Sequence, residues 1–482
     1  FRGLRAELHG QNHRCRGGSD TEVLLEAASA WGVEAALKKC VGMFAFALWD
    51  SVAKRLWLAR DRLGEKPLYY GIVDGAFVVA SELKAFRAHP RFVAGVDEAS
   101  LAAYLHLGYV PAPGSIYRNV AKLMPGCLLC VAVGRHGVWT KHASHAYWSL
   151  QDEAAKAGAS SPSPTDDGAV EKLRGLIEDS LRGQRVADVP IGAFLSGGWD
   201  SSTLVALLQG ISDRPVKTFC IGFDEEDHNE APHARRIAAH LGTDHAERVV
   251  TARDALDVVP KLSDIYDEPF ADMSAIPTCL LSQFAREHVA VTISGDGGDE
   301  LFGGYRRYAW ARLLRPAWLF PERWRQGATQ LCTSMLPKHP VTSSWRKLLL
   351  IAGQNSPQEA FVATRGSWNE GIPLRHAAMR QVATSTLIPR HSSFRDWMLL
   401  QDALDYLPDD ILVKVDRASM ANGLECRVPL LDHNVVSFAF GLPMRARLDG
   451  ATGKVLLKAL ARRLLPAHLL ERPKMGFGVP MA

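Results

Sequence analysis

The sequence predicts two unlike domains. The first is an α+β domain built on antiparallel sheet. The second is an α/β domain with a doubly wound parallel sheet and a mostly helical C-terminal part. Three observations carry this. To about Leu150 the chain runs in short apolar or alternating stretches broken by tight turns such as Val73-Asp74-Gly75. Residues 151–168 then turn to Ala, Gly, Ser, Pro and Asp, including Ser160-Ser161-Pro162-Ser163-Pro164, which reads as a linker. After it, apolar strands alternate with helical patterns, the signature of strand–helix–strand units. The division expected is therefore 1–150, 151–168 and 169–482.

In chain order, Phe1 to Leu8 reads as a helix, and so does Thr21 to Trp31, started by the capping pair Ser19-Asp20. Val41 to Trp49, the longest conspicuous apolar run, reads as a buried strand. Leu56–Ala59, Leu68–Ile72, Phe77–Ala80 and Cys127–Val133 are further strands, with a helix at Glu98–Leu107. In the second domain the strand candidates are Val189–Leu195, Val216–Ile221, Ala246–Val250 and Val289–Ile293, with a helix at Glu230–Leu241. From about Tyr305 the pattern is mostly helical, and no internal repeat is present.

A chain of 482 residues has ample length for two cores, and 47% hydrophobic content is ordinary for a globular protein. A net charge of +4 is too small to argue for nucleic acid or a polybasic membrane surface. No apolar run approaches the roughly 20 residues that span a bilayer, and no secretory signal is present, so a cytoplasmic protein is expected. Cys127 and Cys130 form a lone Cys-x-x-Cys in a strand, where positions three apart face opposite ways. Zinc would need a second pair, so structural thiols are expected, with Cys220 and Cys426 as small buried side chains.

The most informative segment is Phe194-Leu195-Ser196-Gly197-Gly198-Trp199-Asp200-Ser201-Ser202. An apolar strand leads into it, and a helical pattern begins at Ser201. A glycine turn at a helix start offers backbone N–H groups and a positive dipole end to an anion. The serines add hydroxyl donors. Asp200 makes sense beside a phosphate when a hard cation, Mg²⁺, bridges the two. The spacing is not that of a Walker loop, and Gly295-Asp296-Gly297-Gly298-Asp299-Glu300 misses the dinucleotide fingerprint at Glu300. It resembles instead the Ser-Gly-Gly-x-Asp-Ser-Ser/Thr loop of ATP pyrophosphatases, with Trp199 a bulky departure at the variable position. The segment after Ile293 gathers three acids within five residues among five glycines, a good metal and ligand site.

That second segment, Ser294-Gly295-Asp296-Gly297-Gly298-Asp299-Glu300-Leu301-Phe302-Gly303-Gly304-Tyr305, resembles a signature of glutamine-dependent asparagine synthetases. Asp267 to Asp272, Ser274 to Pro277, Lys414 to Ala421, Leu424 to Asp432, Gly453 to Lys458 and Arg472 to Phe477 fit the same family in type and order. So do Ser19 to Glu22, Gly42 to Phe46, Ala59 to Arg62 and Gly64 to Tyr70, which are similar to the family's N-terminal-nucleophile glutaminase domain. The likeness covers essentially the whole chain.

The resemblance implies asparagine formation from aspartate. The aspartate side-chain carboxylate attacks the ATP α-phosphate, an acyl-adenylate and pyrophosphate form, and ammonia displaces AMP. By the same likeness Ser196, Gly197, Gly198 and Ser201 hold pyrophosphate, Asp200 and Asp299 hold Mg²⁺, and Leu195, Ile221, Ser294 and Gly295 contact the nucleotide. Asp296, where many relatives have Glu, orients ammonia or takes its proton, and Lys454 stabilises charge on phosphorus or on the tetrahedral oxyanion. Asp20 is the matching glutamine-site residue. A homodimer is expected from the family alone, with aspartate, ATP and glutamine or ammonia as small-molecule partners and no nucleic-acid or membrane partner. Family members use an N-terminal Cys as glutaminase nucleophile; this chain starts at Phe1 and ends at Ala482, so the expectation is a fragment or a chain from which segments have been removed, with glutamine hydrolysis expected of the complete protein. Two alternatives stay open: a relative that amidates another carboxylate or closes a β-lactam, and a non-catalytic binding or scaffold protein.

Overall fold

The protein is described by a computed structural model covering residues 1–134, 139–156, 166–225, 229–314, 320–335, 349, 351–354, 356–365 and 393–471. Ser160–Pro164 and Arg472–Phe477 lie outside these residues.

Two antiparallel sheets form the N-terminal part. Strands β1 (Ala45–Asp50), β2 (Arg55–Arg60), β6 (Cys127–Val133) and β7 (Trp139–Lys141) make one sheet in that order, with β8 (His145–Ala146) also paired to β6. The other has the order β4-β3-β5, from β3 (Tyr69–Val73), β4 (Ala76–Ala80) and β5 (Val120–Lys122). Leu58, Leu129 and Val131 from the first sheet meet Leu68 and Tyr70 from the second in a shared core. Period-two alternation puts these residues on one face. Helix Asp20–Trp31 begins as expected, with the Ser19 hydroxyl accepting from Thr21 N.

Two expectations need correction here. The Val41–Trp49 run is not a buried strand. It pairs only from Ala45, as the edge of its sheet, and Val41 and Trp49 are exposed. One neighbour and one covered face leave alternate side chains in solvent. Nor is 151–168 a continuous linker. Leu150–Lys156 is a helix whose Leu150 is buried in the main core, and a second helix, Asp167–Gln184, is capped by Asp166.

The second domain holds a five-stranded, wholly parallel sheet of order β11-β10-β9-β12-β13. Its strands are β9 (Ile191–Phe194), β10 (Lys217–Phe223), β11 (Asp244–Val250), β12 (Val291–Ile293) and β13 (Glu425–Arg427). Helices cover both faces. On one, Leu173, Leu204, Leu207, Leu456 and Leu457 form the main core. On the other, Phe219, Ile221 and Phe223 of β10 pack with Leu281 and Phe284 of helix Ala275–Arg286. The chain leaves β9 toward β10 on one side and returns to β12 on the other, so β9 and β12 flank the switch point, where parallel sheets place ligands. Strand β13, from a stretch read as helical, closes the β12 edge through pairs such as Thr292 with Cys426. No helix among the described residues is long and apolar enough to cross a membrane.

Candidate active site

The glycine turn follows β9, and helix Trp199–Gly210 starts two residues earlier than the sequence pattern indicates. Gly197 takes a left-handed φ of +76°, and a Cβ there would stand 3.0 Å from His233 Cβ, so the turn needs glycine for both reasons. Inside the turn the Ser196 and Ser201 hydroxyls lie 2.9 Å apart, and Gly198 N donates to Ser196 Oγ at 3.2 Å. Two hydroxyls and a helix start therefore face the same space.

The second acidic loop follows β12, the strand hydrogen-bonded to β9. Its close approach is visible at Gly298, where an added Cβ would lie 2.6 Å from Asp200 Cγ. Helix Gly298–Phe302 carries Asp299 on its first turn. The third contributor is distant in sequence. Lys454 caps helix Val455–Leu464 and is buried, not a surface lysine. Its Nζ donates to Asp200 Oδ2 and lies 2.8 Å from Asp299 Oδ1. Burial works against the lysine's charge, but Asp200 and Asp299 outweigh it and hold the ammonium above the ordinary lysine range.

These residues line a cavity of about 860 Å³. Of the residues singled out from sequence, Leu195, Ser196, Gly198, Asp200, Ser201, Ile221, Ser294, Gly295, Asp296, Asp299 and Lys454 all border it. Gly197 shapes the turn without bordering the cavity. Asp20 stands elsewhere, exposed at the start of helix Asp20–Trp31 in the N-terminal domain. Asp296 is positioned by the Ser294 hydroxyl, which donates to its Oδ2. Trp199 also borders the cavity. It packs against the main core, with Lys458 and Arg462 each 5.4 Å from its ring centre.

Asp272, Ser274, Glu300, Tyr305 and Lys414 belong to the family-like motifs, but the sequence alone gives none of them a role; all five border the same cavity. Glu300 is buried and accepts from the Tyr305 hydroxyl. Burial, with Asp299 nearby, raises its pKa to about 7. The sequence signal for Lys414 is a lone cation inside an otherwise apolar stretch, Ile411–Val415.

The two domains meet through polar contacts, one of them a buried ion pair. Lys122 Nζ of β5 lies 2.7 Å from Glu268 Oε1, Lys66 Nζ 2.8 Å from Asp416 Oδ1, and Ala112 N donates to Asp409 Oδ2 at 2.7 Å.

Comparison with known proteins identifies the family. The family model for asparagine synthase matches residues 172–482, and that for a glutamine amidotransferase domain matches residues 1–148. The chain belongs to the asparagine synthase family. "Asparagine synthetase [glutamine-hydrolyzing] 1" of Bacillus subtilis (strain 168) is 32% identical over 487 residues, covering 99% of this chain and 74% of the relative. A "putative asparagine synthetase [glutamine-hydrolyzing]" of Mycobacterium bovis is 34% identical over 478 residues, covering 96% of this chain and 70% of its own length. This asparagine synthase family member is an ATP-dependent ligase of the amidating type.

Proposed function

We propose that the protein makes asparagine from aspartate, through a β-aspartyl-adenylate that ammonia then attacks. The observation that carries this reading is the sharing of one cation, the Lys454 ammonium, by two carboxylates from neighbouring strand tips beside an anion-binding glycine turn. A carboxylate does not acylate ammonia because oxide is not a viable leaving group. Adenylation replaces oxide with AMP. The β-carboxylate of aspartate attacks the α-phosphorus, the bond to the bridging oxygen breaks, and pyrophosphate leaves onto Ser196, Gly197, Gly198 and Ser201. Leu195, Ile221, Ser294 and Gly295 hold the nucleotide.

The donor set also fits Mg²⁺. Asp200 and Asp299 already share a cation, and one or two carboxylates completed by phosphate oxygens are this ion's usual protein partners. Bound there, it would offset phosphate charge. Lys454 stabilises charge accumulating on phosphorus or, in the second step, on the tetrahedral oxyanion. Asp296, fixed by Ser294, orients ammonia or accepts the proton it sheds as the C–N bond forms and AMP departs. The N-terminal domain fits glutamine as the ammonia source, with Asp20 as one of its contacts.

The test compares Asp299→Ala with Asp296→Ala. Asp299→Ala abolishes both ATP–pyrophosphate exchange and ammonia-dependent amide formation. Asp296→Ala keeps aspartate-dependent exchange and loses amide formation. Retention of amide formation by both variants refutes the site.

A further inference from the structure

One corner of the cavity holds a charge pair that adenylation does not use. Lys414, on helix Leu412–Ala421, is 8% exposed, and its ammonium reaches the cavity wall. Asp272 approaches from the loop before helix Ala275–Arg286, with its side chain 12% exposed. One carboxylate oxygen is fixed: Asp272 Oδ1 accepts from Ser274 N at 2.7 Å and from the Ser274 hydroxyl. The other, Oδ2, stands 3.6 Å from Lys414 Nζ, beyond hydrogen-bond length. Lys414 Nζ instead contacts Ser274 Oγ at 3.2 Å.

Two mostly desolvated opposite charges are thus held side by side without closing on each other. Such a pair is costly unless each charge finds a further partner. Nearby Asp410 does not supply a second negative charge at neutral pH, because burial and Asp272 push its pKa to about 8. The corner therefore sets a carboxylate and an ammonium side by side at the cavity wall, with Asp296 and Glu300 also acting on the Lys414 charge, a pattern complementary to a zwitterion.

We propose that Asp272 binds the α-ammonium and Lys414 the α-carboxylate of an α-amino dicarboxylic acid, leaving its side-chain carboxylate to meet ATP at the glycine turn. The proposal rests on the adenylation reading and adds the basis of acceptor selectivity to it. Charge-assisted hydrogen bonds of this kind are each worth about tenfold to a hundredfold in discrimination.

The experiment is ATP–pyrophosphate exchange by the full chain with three acceptors. They are L-aspartate, succinate (which lacks the α-ammonium) and β-alanine (which lacks the α-carboxylate). The wild type prefers aspartate over both by about tenfold or more. Asp272→Asn collapses the preference over succinate, and Lys414→Gln collapses the preference over β-alanine. In both, KM for aspartate rises and KM for ATP does not. Asp272→Glu, which keeps the charge, retains the preference over succinate. Each ratio is taken within one preparation, so partial misfolding does not alter it. Equal use of succinate or β-alanine by the wild type, or wild-type ratios in the variants, overturns the inference while adenylation stands. Exchange with none of the three acids overturns adenylation and the inference together.

Discussion

A single methyl group at position 304 separates the stability of this site from its chemistry. The Cβ of Gly304→Ala would stand 1.7 Å from Asp299 Oδ1 and 2.3 Å from Lys454 Cε. Asp299 Oδ1 must retreat by more than about 1 Å before that contact becomes tolerable. Its 2.8 Å contact with Lys454 does not survive such a move. Both obstacles are side-chain ends, so rotation relieves the clash, and Gly304 does not use a left-handed φ. Stability should fall by less than about 1 kcal/mol, partly offset by the reduced freedom of the unfolded chain. Activity should fall about a hundredfold, the usual cost of misplacing a reacting group by 1 Å. Gly453→Ala is the contrast. There the Cβ would meet the backbone oxygen of Gly303 at 2.1 Å, which cannot swing aside, and about 1–3 kcal/mol of stability is lost. Pyrophosphate exchange and thermal melting on both variants decide the matter. Unchanged exchange in Gly304→Ala, or a collapse of its melting temperature, refutes the argument.

Three further outcomes are expected. Glu268→Gln leaves the Lys122 ammonium buried without its carboxylate and costs about 3–5 kcal/mol; Lys122→Met added to it restores much of the melting temperature, and an unchanged single variant contradicts this. Asp410 holds its proton to about pH 8 in the fold, whereas an unperturbed aspartate releases it near 3.8. Its contribution is therefore full below about pH 4 and lost as pH rises through 8, so Asp410→Asn gains melting temperature relative to the wild type between pH 5 and 8.5; parallel profiles refute it. Trp199→Leu loses the Lys458 and Arg462 ring contacts, about 1–2 kcal/mol, and keeps exchange, since the ring packs against the main core and these two cations and brings no polar group to the phosphate turn; loss of exchange in a folded variant contradicts that reading.

The legible part of this fold is local. The glycine turn, the acidic loop and the apolar strands leading to them are encoded within a dozen residues each, and all appear where expected. Strand β13 is hidden because Glu425–Arg427 has no strand pattern of its own; its extended form comes from pairing with β12. The exposure of β1 comes from its place at a sheet edge, which hydrophobicity does not encode. Helix Leu150–Lys156 is masked by the Ala, Gly, Ser and Pro composition of residues 157–165, although Leu150 anchors it in the core. Asp272 and Lys414 lie far apart in the chain, so their pairing is a product of tertiary packing alone.

The placement of Lys454 shows which way cause runs in this site. Its backbone sits in the left-handed region, φ +60° and ψ +36°, which disfavours a residue with a Cβ by roughly 1–2 kcal/mol. The ion pairs alone are a weak reason for that strain, because each partner loses hydration in joining them. Helix Val455–Leu464, which starts at the next residue, is a stronger one. Leu456, Leu457 and Leu460 are fully buried in the main core with Leu204 and Leu207 of the helix behind the glycine turn. Lys454 N is meanwhile tied to Phe302 O at 2.8 Å, just past the acidic loop. Packing therefore fixes where the helix begins relative to both loops, and the left-handed residue is the join that lets the chain enter it there. The lysine is held between Asp200 and Asp299 by apolar contacts one turn away, and the charges meet at a position the hydrophobic core has already set.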